Sequence, residues 1–203
     1  MKKVTLKTKL IGTTCGLLVL FGTALILISQ SILSKAVFSE KEKQTRNMVE
    51  IGTSVLKYYH TMESNGTLSR EEAQESAKAT VRGMLFGEKS LDYFWINDFD
   101  HIMLAHPFRP DLEGEDVSDL VDPNGVYFMR EFVKVCKKDG AGFVPYEWQY
   151  YDDESRVEPK VSYAAEFKPW GWIIGTGIYV DDVEKTVGQA RNTMLLLSFV
   201  AIG

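Results

Sequence analysis

Apolar and polar positions change rhythm several times along this chain. From Leu10 to Ser34, 25 consecutive positions carry no charged side chain. At roughly 1.5 Å per helical residue such a run reaches about 37 Å, more than the ~30 Å hydrocarbon layer of a bilayer. Beyond it, Val37, Lys41, Gln44, Met48, Ile51, Val55, Tyr58 and Met62 alternate spacings of four and three. That heptad stripe predicts a long helix, polar at its start and apolar further on, which packs on its own domain or on a partner helix. Asn65-Gly66 ends it. Ser69 ahead of Glu71 and Glu72 predicts a capped second helix to about Gly87, with Ala73, Ala77, Val81 and Met84 turned inward.

From Leu91 the pattern shortens to strand lengths. Tyr93 to Asn97 is aromatic and β-branched, and His101 to His106 is a second run that Pro107 ends. Asp122-Pro123-Asn124-Gly125 has turn chemistry. A helix is predicted from Val126 to about Lys138, with Phe128, Phe132 and Val135 inward and Gly140 closing it. Gly142–Trp148, Val161–Phe167 and Trp172–Ile178 read as further strands, with Asp152–Ser155 a solvated loop. Two strands, a crossing helix and three strands joined by short connections predict one antiparallel sheet in an α+β domain. After Tyr179, helical spacing returns at Val180, Val183, Val187, Ala190 and Met194, and a second uncharged run begins at Asn192.

Charge orients this layout. Lys2, Lys3, Lys7 and Lys9 precede the first apolar run with no acid among them, and positive flanks stay cytoplasmic. A cleaved secretory signal would have a shorter apolar region and a small-residue cleavage site, which Lys35-Ala36-Val37-Phe38 does not offer. The expected organisation is therefore a cytoplasmic stretch 1–9, a membrane helix 10–34, an extracytoplasmic domain 36–191 and the start of a second span over 192–203. The chain carries −5, and its first 35 residues hold five lysines and no acid, which leaves −10 on the remainder. So acidic a domain lacks the basic footprint that nucleic acid requires, and an anionic ligand would need a local basic site.

The chemistry points to binding. Cys15 and Cys136 cannot form a disulfide framework, and three histidines without an H-E-x-x-H pattern predict no metal site. No cofactor motif, nucleophile elbow or phosphate loop is present in the sequence. Asp98, Asp100 and the acids of 152–154 fall at turns, where such residues are ordinary.

The stretches Tyr93-Phe94-Trp95-Ile96-Asn97-Asp98, Met103-Leu104-Ala105-His106-Pro107, Gly142-Phe143-Val144 with Tyr146 and Trp148, Pro159-Lys160 with Ser162-Tyr163, and Trp170-Gly171-Trp172 through Asp182 resemble the single Cache domain of bacterial chemoreceptors and sensor kinases. The resemblance implies a long N-terminal helix behind a PAS-like five-stranded antiparallel sheet, flanked by transmembrane helices. It also implies a pocket over one sheet face for a short carboxylate such as acetate, propionate, pyruvate or lactate, and a receptor that dimerises and performs no catalysis. Chemoreceptor and histidine kinase both remain open as outputs, with a non-sensory ectodomain as a third possibility.

A carboxylate needs charge-assisted donors inside a mostly apolar cavity. The family positions able to supply donors or walls are His106, Lys160, Arg82, Tyr93, Tyr146, Trp148 and Tyr163. Tyr146 and Trp148 share one face of a strand, whereas Lys160 and Tyr163, three apart, point to opposite faces of a regular one. If a protonated His106 faced the ligand, binding would weaken above about pH 7.

Overall fold

The computed structural model describes residues 6–181, 183, 185–190 and 192–193, the side chains of 8, 9, 11, 12, 15, 18, 19, 23, 26, 27 and 88 excepted. In chain order the elements are α1 (Leu6–Ser64), α2 (Arg70–Gly83), β1 (Trp95–Asp98), β2 (Met103–Ala105), α3 (Phe128–Asp139), β3 (Ala141–Tyr150), β4 (Asp153–Phe167) and β5 (Trp172–Tyr179). They divide into two units, 1–39 with 183–203, and 40–182.

The described part of the first unit is helical, and Leu17, Leu20, Phe21, Leu25, Ile28 and Ile32 are exposed along it. Among the described residues no helix is long and apolar enough to cross a membrane. The span expected over 10–34 includes side chains outside that set, and the second expected span lies outside it from 194 onward.

The second unit holds the five-stranded antiparallel sheet, ordered β2-β1-β5-β4-β3. One face packs against α1 and α2 through Val49, Leu56, Ala73, Ala77, Val81, Phe94, Ile174 and Trp172. The other face packs against α3 and the 117–120 loop through Trp95, Met103, Phe128, Met129, Phe132, Val144, Tyr146 and Ile173. α2 forms because Ser69 caps it, its hydroxyl accepting the Glu72 N–H while Glu72 reaches back to the Ser69 N–H at 2.8 Å. α3 ends at Gly140, whose φ of 79° is the left-handed value that glycine tolerates best.

Three expectations need correction. The heptad stripe on α1 is displaced by one position: the buried line is Thr45, Val49, Gly52 and Leu56, while Ile51 and Tyr58 are exposed. Gly52 is the reason, since a Cβ there would lie 2.8 Å from Ile174 Cδ1, so the closest approach of helix to sheet uses the residue with no side chain. The acidic run 152–155 is mostly strand, because β4 begins at Asp153 and pairs with β3 in a long exposed hairpin. His101–His106 yields only Met103–Ala105 as strand, because the Asp98 carboxylate accepts the Asp100 and Ile102 N–H groups and wraps a turn around His101.

Candidate ligand-binding site

Over the α3 face, Lys160 points into an aromatic enclosure. It lies on β4, directly opposite Tyr146 on β3 and Tyr179 on β5. Its side chain is buried, and its Nζ donates to the Tyr93 hydroxyl at 3.0 Å and the Tyr179 hydroxyl at 3.3 Å. The same ammonium sits 4.3 Å from the Tyr93 ring centre and 4.6 Å from that of Tyr179, within cation–π range. Among the described residues no carboxylate lies within ion-pair distance of it. Burial depresses its pKa to about 7, and the charge of Asp92 acts the other way.

Tyr93 is the hub of the enclosure. Its hydroxyl also accepts the Trp148 indole N–H at 3.0 Å, and its ring packs 4.8 Å from the His106 ring. The Tyr93 carbonyl is fixed from behind by the Thr176 hydroxyl at 2.6 Å. Tyr146 bonds Ser162 at 3.1 Å and stacks on Phe128 at 4.6 Å. Tyr93, Trp95, Met103, His106, Leu120, Phe128, Met129, Phe132, Tyr146 and Trp148 close around a gap of about 10 Å³, the space of a single water. A short organic acid has several heavy atoms, so its accommodation requires side chains to move.

His106 has a fixed tautomer. Its Nδ1 accepts the Arg109 backbone N–H at 3.0 Å, so in the neutral ring the proton sits on Nε2. Burial first, then the charges of Lys160 and Arg109, push its pKa down to about 3. With its pKa pushed down in this way the His106 ring is neutral near neutral pH in the unliganded fold, with Nε2–H as its donor.

Arg82 is not in the cavity wall. It reaches Glu113 with Nε at 2.9 Å and Nη2 at 2.6 Å, and the first of those carboxylate oxygens also accepts the His106 backbone N–H at 2.8 Å. Burial raises the Glu113 pKa, but Arg82 and the His106 N–H outweigh it and hold the carboxyl below its usual value. Arg82 thus braces His106 through Glu113. Glu113→Ala should cost about 1 to 3 kcal/mol of stability in urea unfolding, because three bonds lose their acceptor. Arg82→Ala should cost only about 1 kcal/mol, since that half-exposed pair is solvent-screened. Equal losses would mean that the contact to the His106 backbone contributes nothing.

Tyr163 lies on the opposite sheet face, its ring 4.7 Å from Phe143 and 5.3 Å beneath the Arg46 guanidinium. The register from Lys160 to Phe167 is continuous, so no bulge brings Tyr163 back beside Lys160. The structure therefore unites Lys160, Tyr93, His106, Tyr146 and Trp148 and leaves Arg82 and Tyr163 outside. It adds Tyr179, whose hydroxyl donates to the Gln149 carbonyl and accepts the Tyr151 N–H, and Ser162 beside Tyr146. Cross-strand register is the signal that would have found both.

The chain matches the single Cache domain 2 family over residues 37–192. It is 37% identical over 197 residues to the methyl-accepting chemotaxis protein McpP of Pseudomonas putida, covering 95% of this chain and 36% of that protein. It is 27% identical over 154 residues to the sensor histidine kinase MctS of Rhizobium johnstonii, covering 76% of this chain and 32% of that one. The chain thus spans about a third of the length of these curated relatives. A solved structure described as the basis for carboxylic acid recognition by a Cache chemosensory domain is 37% identical, with a TM-score of 0.68, over 72% of this chain and 97% of that one. A methyl-accepting chemotaxis protein from Vibrio parahaemolyticus is 28% identical, with a TM-score of 0.64, over 76% of this chain and 99% of that one. A family match through the whole sheet and the helices packed on it, together with a relative of this identity, places the chain in the single Cache domain 2 family.

Proposed function

We propose that residues 36–191 are the extracytoplasmic sensor domain of a membrane receptor, and that they bind a short-chain carboxylate such as acetate, propionate, pyruvate or lactate. Lys160 carries this reading. A buried ammonium enclosed by phenols, with no carboxylate at ion-pair distance among the described residues and only the more distant charge of Asp92 acting on it, is costly in the fold. A ligand carboxylate supplies the missing charge, while Tyr93, Trp148 and the Nε2 proton of His106 offer neutral donors and Phe128, Met103 and Trp95 an apolar wall. The structure described for carboxylic acid recognition supports the ligand class.

The uncharged run 10–34, with Leu17, Leu20, Phe21, Leu25, Ile28 and Ile32 exposed along it, supports an anchor, and its lysine-rich flank supports a sensor outside the inner membrane. The exposed Ile51 and Tyr58 on α1 supply an apolar margin for a homodimer. A chemoreceptor output is favoured by the higher identity to McpP; the match to MctS supports a histidine kinase as the second reading. Signalling starts at Tyr179, the last residue of β5. A carboxylate that draws the Lys160 ammonium away from the Tyr179 hydroxyl changes the contacts of that residue, and binding favours one of two arrangements of the strand end.

Thermal melting of the full 203-residue chain against a panel of C2–C4 acids tests the reading. A bound acid at about 100 times its Kd should stabilise by about 2.7 kcal/mol. A flat panel, with no heat on titration, would refute it.

A further inference from the structure

Outside the inner gap lies a second, larger groove of about 410 Å³, bordered by Arg109, Asp122, Glu147 and Val157. The two spaces share Leu120, Phe128 and Trp148 as walls. Phe128 is 4% exposed and wedged between Tyr146 at 4.6 Å and Trp148 at 5.2 Å, so it is held. Leu120 differs. Its loop is fastened on both sides: Arg130 Nε donates to the Ser118 carbonyl at 2.8 Å, and Asp122 accepts the Glu147 N–H at 3.0 Å. The backbone is fixed at both ends of this loop, and the half-buried Leu120 side chain lies in the wall that both spaces share. Trp148, also half-buried, donates its indole N–H to Tyr93, and its ring packs on Phe128 at 5.2 Å and His106 at 6.2 Å.

Resting on the carboxylate reading above, we propose that the outer groove is the entrance to the site, and that Leu120 and Trp148 form a partition that sets the rate of entry and the longest acid admitted. A turn of the Leu120 side chain joins the two spaces without disturbing the sheet. The alternative entrance is a depression of about 240 Å³ at Pro145, Pro159 and Val161, on the margin of β3 and β4. Lys160 borders it too, but the Lys160 Nζ is bonded to the Tyr93 and Tyr179 hydroxyls.

Stopped-flow binding of propionate to the full chain in detergent separates the two. Leu120→Ala should raise association and dissociation rates together by roughly tenfold, because the partition no longer has to open. Its Kd should stay near that of the wild type, and it should take hexanoate while the wild type should not. Leu120→Met should restore wild-type rates. Unchanged rates in Leu120→Ala, or faster rates in Val161→Ala instead, would overturn the proposal. A readout that needs no ligand recognition accompanies this. With Trp148 kept in place, Leu120→Ala should increase the acrylamide quenching of the tryptophan emission over that of the wild type, because Trp95, which borders the gap, is 4% exposed. Unchanged quenching overturns the passage whether or not acids bind. Stronger quenching with no acid bound upholds the passage and removes the carboxylate reading.

Discussion

Lys160→Met is expected to weaken carboxylate binding strongly and, at the same time, to raise the melting temperature. The two effects share one cause. The Lys160 ammonium is buried with only two hydroxyls and two ring faces for company. Replacing a poorly compensated buried charge by an apolar side chain of similar length typically gains about 1 to 4 kcal/mol. The same change leaves a ligand carboxylate with neutral donors alone, a loss of about 2 to 5 kcal/mol for a buried charged pair, or about 30- to 4,000-fold in Kd. Differential scanning fluorimetry and titration calorimetry on the full chain read both. A variant that melts lower and binds as tightly as the wild type would show that Lys160 serves the fold and not the ligand.

The second large effect is on pH. Lys160 titrates at about 7 in the folded chain, and a bound carboxylate favours its charged form. Below pH 7 affinity should be level. Above it, binding must take up a proton, and affinity should fall by as much as tenfold per pH unit. Calorimetry between about pH 6 and pH 9 in two buffers of different ionisation heat detects that proton directly. A level affinity across this range would sink the assignment. His106 adds nothing here, because it is neutral down to about pH 3.

The sign for stability is distinct. An unfolded lysine keeps its proton to about pH 10.4, so from about 7 upward the unfolded chain binds more protons than the folded one, and the fold gains stability with rising pH. Below 7 both forms are charged and the cost of burial is constant. For His106 the unfolded value is about 6.5, so stability should decline as pH falls from there toward 3.

The elements that carry strong local chemistry were legible in the sequence. The Ser69 cap, the Asp122–Gly125 turn, the inward Phe128 and Phe132 and the Gly140 terminus all stand where their residue types demand. What escaped is non-local. Arg82 shows only its helix face, and Glu113, which occupies it, comes from a loop 31 residues away. The first half of β4 is polar on both faces, because an exposed hairpin buries neither side, so alternation gives no signal. Tyr179 reaches Lys160 only through cross-strand register, which a single strand does not declare. On α1, Gly52 marks the contact line yet adds nothing to an apolar stripe, and the helix is rotated from the face that its larger residues suggest.

The sheet separates two sets of side chains that meet only through shared backbone. Val49, Leu56, Ala73 and Ala77 occupy one side; Met103, Phe128, Tyr146 and Lys160 occupy the other. A substitution at Phe128 or Tyr146 should therefore leave the packing of α1 and α2 on the strands intact, and a polar path between the two sides runs from Arg82 of α2 through Glu113 to the His106 backbone.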